Sequence, residues 1–124
     1  LPTEEEWEKA ARGTDGRMYP WGNSYEAGKA NINEKSTGAG PSYLERTTAV
    51  GSYPAGASPF SAMDMAGNLW EWTLTEYEIK RSRVVRGGSW YDHDSGYFRC
   101  AYRAPYREPN SRYNSDGFRC ARTL

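Results

Sequence analysis

The run Tyr91-Asp92-His93-Asp94-Ser95-Gly96-Tyr97-Phe98 holds the chain's single histidine between two carboxylates. Such an arrangement can orient an imidazole as a proton acceptor or a metal ligand. A plain exposed loop histidine is the favoured reading, because no Ser or Cys nucleophile stands in a supporting pattern. A second carboxylate pair, Asp64 and Glu71, flanks Gly67-Asn68. With backbone carbonyls these acids could meet one hard cation; the competing reading pairs them with arginines of the C-terminal part. Ala30-Asn31-Ile32-Asn33 offers oxygen ligands or simple turn chemistry, and the turn is favoured.

Cys100 and Cys120 each sit in Phe-Arg-Cys-Ala. One histidine and no closely spaced cysteine pair leave no zinc ligand set. A disulfide would need facing neighbours, so two buried free thiols are expected. The stronger chemical signal is compositional. Tyr, Asp, Ser and Gly fill most of the loop after Trp90, and Tyr, Arg, Asn and Ser recur at Tyr102, Tyr106, Arg107, Asn110, Ser111, Tyr113, Asn114 and Ser115. Tyrosine gives large contact area at small entropic cost, and Ser, Gly and Asn adapt their hydrogen bonds, so this palette suits a binding face.

The elements that must position these groups belong to a small domain. The chain has 124 residues, 37% hydrophobic and 15% aromatic, so its core must lean on rings that carry polar handles. The formal net charge is zero, yet residues 1–80 carry 7 Lys and Arg against 12 acids, and residues 81–124 carry 9 Arg against 4 acids. Arginine favours bidentate pairing and ring stacking, so internal contacts between the two parts are expected ahead of nucleic-acid binding. No apolar run is long enough to span a bilayer, and Leu1-Pro2-Thr3 is not a signal peptide. A soluble protein is expected, in the cytoplasm or at the surface of a bacterium. The opening on a helix cap without a start Met suggests that the front of a longer chain is absent.

Thr3-Glu4-Glu5-Glu6 reads as a capping box. Trp7, Ala10 and Ala11 give one apolar stripe and Gly13 a stop, which predicts a helix over 4–12. Frequent Gly, Pro, Asn and Ser from Gly13 to Ser61 exclude long helices. An edge strand is expected over Thr48–Pro54 and a strand over Leu69–Thr73, with Leu69, Glu71 and Thr73 facing opposite to Trp70 and Trp72. Val84-Val85 lead a strand into Arg86-Gly87-Gly88-Ser89-Trp90, and further strands are expected at Phe98–Arg103 and Gly117–Arg122.

Taken together, several blocks resemble the formylglycine-generating enzyme (sulfatase-modifying factor) family. They are Leu-Pro-Thr-Glu-Glu-Glu-Trp-Glu from Leu1, Tyr-Pro-Trp-Gly-Asn from Tyr19, Val-Gly-Ser-Tyr-Pro from Val50, Asp-Met-Ala-Gly-Asn-Leu-Trp-Glu-Trp-Thr from Asp64, Arg-Gly-Gly-Ser-Trp from Arg86 and Gly-Phe-Arg from Gly117. The resemblance implies an α+β, C-type-lectin-like fold over residues 1–124, irregular, with short antiparallel strands and one or two short helices. It also implies that the family's N-terminal part is missing, so that this part or another chain would complete the fold.

By the same resemblance, Asp64, Gly67, Leu69 and Glu71 correspond to a calcium site, acids through side chains and the others through carbonyls, which turns the balance toward calcium. Asn31 and Ile32 correspond weakly to a second site. The family's copper-binding cysteines fall here at Asp92 and near Gly96 or Tyr97, none of them cysteine, so copper is not expected. A related branch, the variable proteins of diversity-generating retroelements, varies the residues that follow Arg-Gly-Gly-Ser-Trp. The reading is therefore a non-catalytic module on a calcium-stiffened scaffold. Its protein or small-molecule ligand would meet a face of Trp90, Tyr91, Asp92, His93, Asp94, Ser95, Tyr97, Tyr102, Tyr106 and Tyr113. The alternatives are an oxidoreductase of the same family and an accessory or regulatory domain of a larger protein.

Overall fold

In the computed structural model, which describes residues 1–77, 82–104 and 107–122, the chain forms one helix, three strands and connecting turns. Helix α1 spans Glu4–Arg12, with Thr3 Oγ accepting from the Glu6 amide and the Glu6 side chain accepting from the Thr3 amide. This reciprocal cap satisfies two otherwise orphaned donors. Its acidic first turn and basic last turn complement the helix dipole. Trp7 and Ala11 are buried, as the apolar stripe predicts.

Strand β1 (Trp70–Glu76) is the centre of the sheet. It pairs antiparallel with β2 (Arg83–Arg86), placing Glu71 opposite Arg86 and Trp72 opposite Val85. On its other side it pairs in parallel with β3 (Asp116–Gly117). The expected short antiparallel pairing is that of β1 with β2, while the two-residue β3 runs parallel to β1.

The sides of β1 divide as its period-two pattern predicts. Glu71 faces α1, where it accepts a hydrogen bond from the Trp7 indole, whereas Trp70 and Trp72 pack with Val85, Ala104, Tyr97 and Tyr102. Because both faces are covered, Trp70, Glu71 and Thr73 are all buried, and burial does not alternate as it would on a sheet with one wet face.

Three expected strands differ from the structure. Thr48–Pro54 is a turn leading into a short 3₁₀ segment, Pro54–Gly56, and Val50 is 88% exposed. Phe98 ends a 3₁₀ turn, Ser95–Phe98, and the residues after it form turns. Gly117–Arg122 contributes only its first residue to β3. In each case the alternation reflects which side chains reach the core: Phe98 and Cys100 are fully buried while Arg99 and Ala101 are exposed. Alternate burial constrains side-chain direction and leaves the backbone pairing open.

The core is three small clusters. Trp7, Ala11, Met65 and Cys100 lie under the helix. Tyr19, Ala30, Ile32, Ala66 and Phe98 hold the irregular N-terminal half. Trp70, Val85 and Ala104 form the third.

Between the helix and the sheet sits Arg86, fully buried. Its Nη2 donates to Glu8 Oε2 at 2.6 Å and to the Cys100 carbonyl at 2.8 Å, and Nη1 donates to the carbonyls of Ala101 and Tyr102. The guanidinium carbon lies 5.4 Å from the Trp7 ring centroid. The uneven charge of the sequence resolves in contacts of this kind. Arg103 pairs with Glu4 and Arg119 with Glu71, each joining an acid of the first part to an arginine of the second.

Removing the Arg86 side chain would strand the carbonyls of residues 100–102 and leave Glu8 with Arg12 alone. Arg86→Ala is expected to lower unfolding free energy by about 3–5 kcal/mol, the usual loss when one member of a buried pair is deleted. The urea midpoint checks this, with Arg103→Ala at the exposed pair expected to lose about 1 kcal/mol or less.

Candidate functional site

The double glycine at the end of β2 turns the chain into the loop that begins at Trp90. Gly88 has φ +75°, and a Cβ there would lie 2.5 Å from the Phe98 ring, so the loop's return leg packs where only glycine leaves room. Ser89 and Asp92 then close a tight brace. The Asp92 carboxylate accepts from the Ser89 amide at 2.9 Å and from Ser89 Oγ at 2.6 Å. The Asp92 carbonyl accepts from the Asn33 amide, tying the loop to the N-terminal half. Asp94 caps the 3₁₀ turn by accepting from the Gly96 amide.

These bonds divide the predicted face into two kinds of residue. Asp92 and Asp94 brace the loop. Tyr97 and Tyr102 pack on Trp70 at centroid distances of 6.1 Å each, and burial raises the Tyr102 hydroxyl above its ordinary pKa. Ser95 opens the 3₁₀ turn and is half-buried.

Tyr91, 63% exposed, stands edge-on against half-buried Trp90, and His93 is also exposed. Tyr113, 57% exposed, is held by Arg107, whose guanidinium lies 5.1 Å from the ring centroid and bonds to Asp116 at 3.1 Å. Burial raises the Asp116 carboxyl, with Arg107 acting in the opposite direction. Tyr106 lies outside the described residues.

Asp64, Gly67, Leu69 and Glu71 line one pocket of about 260 Å³, together with Arg119. Asp64 and Asn68 both adopt left-handed backbone, φ 56° and 65°, a conformation these two residue types tolerate well. At Gly67, φ +72°, a Cβ would lie 2.6 Å from the Asn31 carbonyl.

The Glu71 carboxylate is already well partnered. Oε2 accepts from Trp7 Nε1 and Arg119 Nε, both at 2.6 Å, and Oε1 accepts from Arg119 Nη2 at 2.7 Å. Arg119 Nη2 also donates to the Met63 carbonyl at 2.9 Å. The competing reading, Glu71 paired with a C-terminal arginine, is thus present in the structure. Asp64 instead accepts from the Gly51 amide at 2.7 Å.

Among the described residues no group of three or more His, Cys, Asp and Glu side chains converges, so an ion here would depend on backbone carbonyls. The donors fit calcium in kind, being hard oxygens around one pocket. Each carboxylate oxygen has two acceptor sites, and among the described residues Glu71 Oε1 accepts from Arg119 alone, so an ion would share this carboxylate with the Arg119 guanidinium. Asn31 and Ile32, the weaker pair, are buried in hydrogen bonds. The Asn31 amide donates to the Arg46 carbonyl and Asn68 Oδ1, its carbonyl accepts from the Asn68 amide, and the Ile32 carbonyl accepts from Glu34.

Both cysteines are free thiols, but only Cys100 is buried. Cys120 is exposed, correcting the expectation of two buried thiols: its short strand ends after Gly117, so nothing covers the alternate positions beyond. Burial pushes the Cys100 thiol up to about 12.

Sequence reasoning missed the supporting residues Ser89, Asn68 and Arg119. Arg119 had a visible signal in the Gly117-Phe118-Arg119 block, but its role depends on a contact across 48 residues.

A small α+β domain with one helix, a three-stranded sheet and long braced loops is the class that this geometry defines. The chain matches the FGE-sulfatase family, described as a sulfatase-modifying factor enzyme 1-like domain, over residues 1–124, and it belongs to that family. It is 37% identical over 130 residues to the inactive C-alpha-formylglycine-generating enzyme 2 of Bos taurus, covering 98% of this chain and 43% of that protein. To the formylglycine-generating enzyme of Mus musculus it is 32% identical, covering 98% of this chain and 38% of that protein. Among solved structures, Treponema denticola variable protein 1 superposes with a TM-score of 0.77 at 26% identity, covering 95% of this chain and 45% of that one. The chain spans less than half the length of these relatives.

The thiols supply a check on the site. In the native protein a thiol reagent at pH 8 is expected to label Cys120 alone, with Cys100 reacting only on denaturation. Because the Cys100 pKa is raised by folding, its contribution to stability is complete below the ordinary thiol range near 9 and is lost as pH rises through about 12. Cys100→Ala should therefore flatten the alkaline fall in melting temperature.

Proposed function

We propose that this chain is a non-catalytic binding module of its family, presenting the loop after Trp90 to a protein or small-molecule ligand. The observation that carries this reading is the loop's construction: Asp92 and Asp94 are engaged in bracing it, while Tyr91 and His93 remain exposed on the braced backbone. Preorganised loops bearing rigid aromatic side chains lose little entropy on binding. Catalysis of the family's copper type is disfavoured by side-chain chemistry. The positions that resemble its cysteines carry a carboxylate, a glycine and a phenol, and Cys100 is packed against Trp7 and Met65. The superposition on a variable protein supports this surface as one that retroelement-directed variation could reshape.

Calcium at Asp64, Gly67, Leu69 and Glu71 would stiffen the turn that leads into β1, sharing the Glu71 carboxylate with Arg119 of the same pocket. Calcium supplies only charge and coordination in this reading; the binding face is built from the chain's own side chains.

Copper-loaded protein incubated with a cysteine-containing sulfatase peptide is expected to yield no formylglycine. Turnover that disappears in Cys100→Ala or Cys120→Ala would establish the enzymatic alternative instead. Sequences of this locus from one population should vary within 91–115 and remain constant elsewhere, whereas scattered variation rejects the retroelement link. For the ion, chelation should lower the melting temperature and Glu71→Gln should abolish that response, consistent with linkage. An identical melting temperature with calcium and with chelator rules the site out.

A further inference from the structure

We infer that the recognition surface is centred on a pocket between Trp90 and the exposed segment 45–47, and that this pocket takes one uncharged, planar side chain of a protein partner. The inference rests on the binding reading above and adds residues far from the loop that suggested it. Glu45, Arg46, Thr47, Trp90 and Asn114 line an open depression of about 200 Å³.

Its walls hang on one buried residue. The Asn68 carbonyl accepts from the Trp90 amide at 3.1 Å, while Asn68 Oδ1 accepts from the Thr48 amide at 2.9 Å and from Asn31 Nδ2 at 3.1 Å. Asn31 Nδ2 also donates to the Arg46 carbonyl at 2.9 Å. The third wall is fixed at β1, where the Ser115 carbonyl, next to Asn114, accepts from the Trp70 amide at 2.8 Å. Glu45 is held at φ 59°, a conformation that costs a non-glycine residue energy and persists only where neighbours over-determine it. The backbone around the pocket is therefore pinned before any partner arrives.

Size and polarity select the occupant. Small-molecule sites usually enclose roughly 300–1,000 Å³, so this space is too small for a free-standing ligand but suits one side chain. Exposed Tyr91 and Tyr113 supply contact area of the kind that surrounds an anchoring side chain in protein interfaces. Glu45 only accepts hydrogen bonds and Arg46 only donates them, while Thr47 and Asn114 do both. A charged occupant would be attracted by one of the first two and repelled by the other. A carboxamide or a phenol satisfies both and lies flat against the Trp90 indole.

The experiment pans a displayed random peptide library on the intact chain. Enriched peptides are expected to share one Gln, Asn or Tyr whose replacement by Ala weakens binding about tenfold, the scale of an interface anchor. Thr47→Trp, which fills the pocket, and the milder Asn114→Ala should each weaken binding while leaving the melting temperature within a degree or so of the parent, since both sites are exposed. Peptides that bind both variants normally but fail on Tyr91→Ala would overturn the pocket and leave the binding module standing. A shared charged residue would overturn the uncharged occupant, and failure to enrich any peptide would overturn the pocket as a protein-anchor site while leaving the binding module its small-molecule ligand.

Discussion

The indole N–H of Trp7, donated to Glu71 across 64 residues of sequence, is the contact on which the rest of this small domain depends. A ring so large brings its polar edge into the core and must find an acceptor there. A buried carboxylate supplies one, and that charge needs a cation in turn, which Arg119 provides with a two-point contact. On the far side of the ring lies Arg86, itself balanced by Glu8 and three carbonyls. Helix, central strand, C-terminal segment and loop base are thereby fastened through one aromatic residue. In a chain with so few aliphatic residues, polar networks of this kind carry specificity that a larger core would supply by packing alone.

Asn68 does for the loops what Trp7 does for the regular elements. Its left-handed backbone and its amide together bind the segments at 31, 48 and 90. Irregular segments keep a unique shape only if their backbone polar groups find partners other than a helix or sheet ladder. Here those partners are a few short polar side chains, Asn31, Asn68, Ser89 and Asp92 among them. The exposed ring of Tyr91 consequently sits on a loop whose backbone is pinned by the Ser89–Asp92 hydrogen bonds.

The legible parts of the sequence were those decided within a few residues. The helix, its capping box and the facing of β1 all follow from spacing and local hydrogen bonding, and the structure has them. The double glycine before Trp90 correctly marked a strand entering a loop. The alternating segments around Cys100 and Cys120 misled, because alternate burial arises wherever an extended chain skirts a core. Only a neighbouring strand with free donors and acceptors turns such a segment into a sheet. β1 had one side taken by β2, and its other side pairs with just two residues of the C-terminal segment.

From composition alone it followed that acids of the first part would meet arginines of the second, since guanidinium groups in such number near a neutral net charge must find carboxylates. Which acid meets which arginine was decided by tertiary structure, as Glu4 with Arg103, Glu8 with Arg86 and Glu71 with Arg119. The residue types of the loop after Trp90 were plain in the sequence. The fold alone determined that Asp92 and Asp94 brace it, that Tyr97 and Tyr102 turn inward on Trp70, and that Glu45, Arg46 and Thr47 stand beside it. The reason is physical: residue type sets what a side chain can bond to, but which partner comes within reach depends on chain segments far apart in sequence.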